Sequence, residues 1–207
     1  MEKHFGDLAW WPAETDFEII IGTVLTQGTS WRAASKAIDN LKKKNILTPE
    51  KILKTKDLSL SRIIRPSGYH RVKTKRLKAI SRFVLNECAG RLGILKKGKT
   101  EVLRKKLLRT YGIGPETADS ILLYALGKPV FVVDAYAKRI FSRHNLIEKN
   151  ASYQYIQQLV HKNFPMETKK LNQFHAVLVE TAKNFCKKTS PLCSKCPLGE
   201  MGREQFK

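Results

Sequence analysis

Three groups of residues in this chain have the types and spacing to do chemistry. The first is one acid, Asp134, which ends the apolar run Val130–Val133 and stands directly before Ala135-Tyr136-Ala137-Lys138-Arg139. Aspartate before a helix is a strong capping choice, and capping fixes the carboxylate while leaving its outer oxygen available. Such an acid can stabilise developing positive charge and activate a water, the two demands of breaking a glycosidic bond. On Asp134 alone, cap and catalyst are equally good readings. The second group is Cys186, Cys193 and Cys196, spaced C-x6-C-x2-C. Thiols crowded in a chain without a secretory pattern point to a metal or iron–sulfur site before disulfides. The third is Gly112-Ile113-Gly114, followed by Pro115 where a helix would start. Its glycines permit positive φ, and bare amides at a helix N-terminus suit a DNA phosphate. Taken alone, a plain helix–helix turn explains that G-x-G better.

Charge narrows the partner class. Lys and Arg total 39 against 18 Asp and Glu, a net charge of +21 over 207 residues. A polyanion accounts for such an excess, because each neutralised phosphate releases condensed counterions. No stretch reaches the ~20 apolar residues of a spanning helix. The N-terminal residues, Met1 to Asp7, lack the charged-then-apolar pattern of a signal peptide. A cytoplasmic, nucleoid-associated protein with no membrane contact is therefore expected.

The elements that must position these groups are helical. Thr15-Asp16-Phe17-Glu18 has capping-box spacing, and Phe17, Ile20, Ile21 and Val24 follow as one apolar stripe. Ser30 caps a second helix with Ala34, Ala37, Ile38 and Leu41 on one face. Between them lies a tight loop, Thr26-Gln27-Gly28-Thr29-Ser30. Further helices are expected over 48–54, 73–87, 102–110, 116–126, 135–144, 152–163 and 171–185. Only Val130–Val133 reads as a strand, too short to seed a sheet. The fold class is all-α.

The stretch GIGPETAD, Val133-Asp134 and the downstream Arg139 together resemble the endonuclease III superfamily of helix-hairpin-helix DNA glycosylases, over essentially the whole chain. The resemblance implies a six-helix barrel domain over 17–128 that contains the hairpin. It is packed against a second helical domain over 129–207, completed by 1–16. The partner would be double-stranded DNA, bent, with a damaged base turned into the cleft between them. The chain is expected to act as a monomer, with Asp134 as the catalytic acid. Bifunctional relatives carry a nucleophilic lysine where this chain has Glu116. An acid there cannot form an imine, so water should be the nucleophile and an abasic site in an intact strand the product. Glu116 also complements the helix dipole.

Trp10-Trp11-Pro12 followed by Leu25-Thr26-Gln27-Gly28-Thr29-Ser30-Trp31 resembles the 3-methyladenine DNA glycosylase branch, as do Arg65–Tyr69 and Pro115-Glu116-Thr117. It implies that Trp10, Trp11, Pro12 and Trp31 line a pocket for an alkylated purine, whose cationic ring stacks well on aromatic faces. Gly112, Ile113 and Gly114 would meet the DNA backbone. Gln27 and Gly28 would enter the duplex; relatives carry a bulkier amide at Gly28, and Gln27 is expected to take over as the wedge. Basic residues at Arg71, Lys73, Lys75, Arg76 and Lys78, and at Lys96, Lys97 and Lys99, should contact or steer phosphate. The family's four-iron four-sulfur signature would place its fourth thiolate at position 202, which is Gly202 here. An intact [4Fe-4S] cluster, a labile one, no cluster and zinc all stay open. Cys88 reads as a small buried apolar residue. Two alternatives stand beside the alkylbase glycosylase: an endonuclease III-like enzyme for oxidised or mismatched bases, and a non-catalytic helix-hairpin-helix DNA-binding protein.

Overall fold

The computed structural model describes residues 1–8 and 10–199, and they contain no strand. In chain order the helices are α1 (Glu2–Phe5), α2 (Asp16–Leu25), α3 (Trp31–Lys43), α4 (Pro49–Lys54), α5 (Asp57–Ile63), α6 (His70–Cys88), α7 (Leu92–Lys97) and α8 (Thr100–Leu108). They continue with α9 (Pro115–Ser120), α10 (Ala135–Arg143), α11 (Tyr153–Asn163) and α12 (Thr168–Asn184). A 3-10 turn, Arg65–Ser67, leads into α6, and a π turn, Ile121–Ala125, prolongs α9. No helix among the described residues is long and apolar enough to cross a membrane.

The chain forms two compact units, Trp11–Lys128 and Met1–Trp10 with Pro129–Lys207. Residues 11–16, assigned from sequence to the C-terminal half, group with the central segment. The reason is Trp11, whose ring lies so close over Gly22 of α2 that a Cβ there would come within 3.3 Å.

In the Trp11–Lys128 unit, α2 is the central element. Every residue from Phe17 to Leu25 is buried, not only the expected stripe, because the helix is apolar on nearly all sides. It packs on α3, α6 and the π turn. Thr15 caps it as expected, its Oγ1 accepting from Glu18 N at 3.1 Å. The reciprocal bond differs, since the Glu18 carboxylate takes Glu14 N and pairs with Lys42. Beneath the hairpin, Asp119 is fully buried and receives a two-pronged bond from Arg104, at 2.7 and 2.9 Å, which joins α8 to α9.

In the other unit, Val130–Val133 is buried but forms no regular element and has no partner strand. Side chains of α11 supply the bonds a strand would have made. His161 Nε2 accepts from Phe131 N, Gln157 Nε2 donates to Phe131 O, and Tyr153 Oη accepts from Val133 N. These bonds satisfy a buried backbone and hold the connector that delivers Asp134.

Candidate active site and nucleic-acid interface

Asp134 is the N-cap of α10, with Oδ1 accepting from Ala137 N at 2.7 Å. Its Oδ2 lies 3.6 Å from His175 Nε2 on α12, and the carboxylate keeps only 13% of its surface exposed. Burial alone would raise its pKa. The charge of His175 opposes this, with help from the amides of Ala137 and Tyr136, and the net effect holds the carboxyl below its ordinary 3.8. A group with a depressed folded pKa contributes stability above its unfolded value and loses it as pH falls through the folded one. Acid unfolding followed by circular dichroism should therefore be less steep below about pH 4 for Asp134→Asn than for wild type. Superimposable acid limbs would contradict this account of the carboxylate. His175 was not foreseen, because its tie to Asp134 spans a long stretch of chain and follows no local spacing.

The hairpin forms as expected. Gly112 has φ +76° and Gly114 caps α9. A Cβ at Gly112 would collide with the Arg76 side chain, so only glycine fits there. Ile113 corrects the expectation of a bare amide: its N–H donates to Thr110 O at 3.1 Å, and its side chain is buried. Gly114 is exposed. Glu116 stands in the first turn of α9, on the surface.

Gln27 also departs from its expected part. Its Nε2 donates to Gly112 O (3.0 Å) and Thr117 Oγ1 (2.9 Å), while its Oε1 accepts from Arg76 Nη1 (2.6 Å). A side chain engaged at both ends is a tether between loop and hairpin, not a free wedge. Gly28 is exposed with φ +64°, and the Tyr69 ring faces its Cα. Of the basic run, Lys73 cannot meet phosphate, being 1% exposed. Lys78 pairs with Asp57, and Lys96 with Asp16. Arg71, Lys75, Lys97 and Lys99 are exposed.

The tryptophans do not behave alike. Trp11 and Trp31 meet edge to face at 5.2 Å, and Trp11 also packs on Tyr124 at 5.3 Å. Tyr124 belongs to the π turn, a geometry frequent at functional sites, and no sequence pattern marks it. Pro12 is exposed. Trp10 falls in the other unit, with the Lys183 ammonium 5.1 Å above its ring.

The cysteines fit an iron–sulfur cluster poorly. Among the described residues no three His, Cys, Asp or Glu side chains are grouped to hold a metal ion, and position 202 lies outside those residues. Cys186 is buried and its Sγ accepts from Arg143 Nη1 at 3.3 Å, whereas Cys193 is exposed. Burial raises the Cys196 thiol, with the Cys186 and Cys193 thiols nearby adding to the effect. Arginines brace the segment instead: Arg143 donates to Lys187 O and Lys188 O, and Arg139 to Cys186 O and Ala182 O. Cys88 is buried as expected, its thiol donating to Val84 O.

An all-helical fold with a glycine hairpin and a capped acid after a buried connector defines a class of DNA repair protein. The chain belongs to the HhH-GPD superfamily of base excision DNA repair proteins, whose model matches residues 21–166. A protein of Methanocaldococcus jannaschii, provisionally named a DNA repair glycosylase, is 43% identical over 198 residues, covering 95% of this chain and 90% of that one. Among solved structures, the H. pylori 3-methyladenine DNA glycosylase bound to 1,N6-ethenoadenine is 33% identical with a TM-score of 0.73, covering 84% of this chain and 87% of that one. A non-covalent endonuclease III–DNA complex shares the fold with a TM-score of 0.83 at 22% identity, over 99% of this chain and 92% of that one. The chain is a DNA glycosylase of this family.

Proposed function

We propose that this glycosylase hydrolyses the N-glycosidic bond of an alkylated purine such as 3-methyladenine, leaving an abasic site in an uncut strand. The observation that carries the reading is Asp134, a carboxylate kept anionic in a nearly closed setting and fixed by its cap and by His175. A fixed negative charge stabilises an oxocarbenium-like sugar, and its free lone pairs can orient the attacking water. His175 touches the carboxylate and acts through it, as a positioning residue. An alkylated base carries positive charge and leaves readily, so one acid and one water suffice. The Trp11–Trp31 pair with Tyr124 supplies aromatic faces for such a cationic ring, with Trp10 and Pro12 adjoining it in sequence. The 33% identical H. pylori 3-methyladenine DNA glycosylase, solved with 1,N6-ethenoadenine, supports a modified adenine as the substrate class. Gly28, Gly112 and Gly114 meet the DNA backbone in this reading.

Glu116 makes the hydrolytic outcome testable, because a carboxylate cannot form the imine that precedes strand cleavage. Lys73 is no substitute, since its amine is sealed inside the fold. Product DNA should run as an intact strand on a denaturing gel until alkali or heat breaks the abasic site. Borohydride should trap no covalent protein–DNA adduct. A robust adduct would show another amine acting as nucleophile and would overturn the hydrolytic assignment.

A further inference from the structure

Among the largest fully buried side chains of the described residues is a lysine. Lys73 lies on the inner stripe of α6, in register with Leu77, Ile80 and Val84, where an apolar residue would ordinarily sit. Among the described residues no carboxylate pairs with it. Its Nζ donates to Leu25 O at 2.8 Å and to Ser67 O at 2.6 Å. Leu25 is the last residue of α2, immediately before the Thr26–Ser30 loop, and Ser67 ends the 3-10 turn that precedes Gly68 and Tyr69. Carbonyls at helix ends have no partner within their own helix, and a buried cation there answers both that need and the helix dipole.

One turn further along α6, Arg76 extends the pattern. Its Nη1 holds Gln27, which in turn holds Gly112 O and Thr117 Oγ1, and its aliphatic stem fills the space beside Gly112. At the start of the same helix, Tyr69 has φ +46°, is 74% exposed and faces Gly28. One short stretch of α6 therefore touches the Thr26–Ser30 loop, the Arg65–Gly68 turn and the hairpin.

We propose that Lys73 and Arg76 are positioning residues that lock these three segments into one preformed DNA-contacting surface before DNA arrives. The proposal rests on the glycosylase reading above only for the DNA. Loops ordered in advance need not be ordered during binding, which leaves more of the contact energy for extruding a base. Burial, with Arg76 adding to it, lowers Lys73 to about 8. Charged or neutral, the amine keeps two N–H donors for its two carbonyls, so the clamp survives that titration.

Hydrogen exchange on the free protein tests the clamp without reference to activity. Wild-type amides in 26–30 and 65–69 should exchange slowly, and Lys73→Met should speed both segments while α3 and α12 stay protected. Loops exchanging at coil-like rates in wild type would overturn the proposal, whether or not the variant folds. With a duplex bearing 2-aminopurine beside an alkylated base, Lys73→Met should lose the flipping signal. It should release base about 100-fold more slowly in single turnover, with undamaged-duplex affinity within about threefold of wild type. Combining it with Tyr69→Ala should add little, since both changes release the same surface. Additive losses, or a fall in undamaged-duplex binding that tracks melting temperature, would mark Lys73 as a packing residue only. Wild type that flips and releases no base, with slow loop exchange, would sink the glycosylase reading and leave the clamp standing.

Discussion

Asp134→Asn is expected to lower base release by at least about 1000-fold, the size of effect seen when a fixed charge aimed at a transition state is removed. Asparagine can still accept from Ala137 N, so the helix cap survives and the fold should be kept. What disappears is the negative charge beside His175. DNA binding should be unchanged or tighter, because one anion near a phosphate-rich partner has gone. Single-turnover release and duplex affinity, measured together, separate the two effects. Near-wild-type turnover in the variant would remove Asp134 from the mechanism.

The second large effect concerns the aromatic cluster. Stacking a base on an aromatic side chain is worth roughly 1–3 kcal/mol, so Trp31→Ala should slow release of an alkylated purine about ten- to a hundredfold. Trp31 is the variant of choice, since it begins α3 and meets Trp11 only by an edge. Trp11 is wedged between Gly22 and Tyr124, so its truncation would also leave a cavity. Undamaged duplex should bind Trp31→Ala as before, because phosphate contacts dominate that affinity. Unchanged melting temperature with selective loss of alkylpurine release is the expected result. Parallel loss of stability and of all DNA binding would return the tryptophan to a packing role.

The helical scaffold was legible because its signals are local. Thr15 and Ser30 cap the helices they were assigned to, and the Ala34, Ala37, Ile38, Leu41 face is buried. Helices α5 and α7 were not foreseen, being too short for an apolar period to show. Val130–Val133 reads as a strand from its β-branched run, yet the partner that completes it is a set of α11 side chains, which no pattern in the run reveals. Asp134 was singled out by its place before a helix and by the family resemblance, and its capping role is seen directly, while the approach of His175 depends on tertiary contact. Lys73 was misread as a phosphate contact because lysines cluster around it. The stripe through Leu77, Ile80 and Val84, carried back one turn, lands on Lys73 and was the available sign that it points inward. Gln27 is the counterpart in a loop: the family resemblance said wedge, and only the fold shows Arg76 and Gly112 holding it at both ends.

The central claim is that this chain releases an alkylated purine by hydrolysis, and one assay meets it directly. Purified protein is incubated with matched duplexes bearing 3-methyladenine, an oxidised pyrimidine or a mismatched thymine, and the liberated bases are separated by chromatography. The account predicts free 3-methyladenine, no base from the other two, and no strand break before alkali. Release of the oxidised or mismatched base with 3-methyladenine left in the DNA would contradict it.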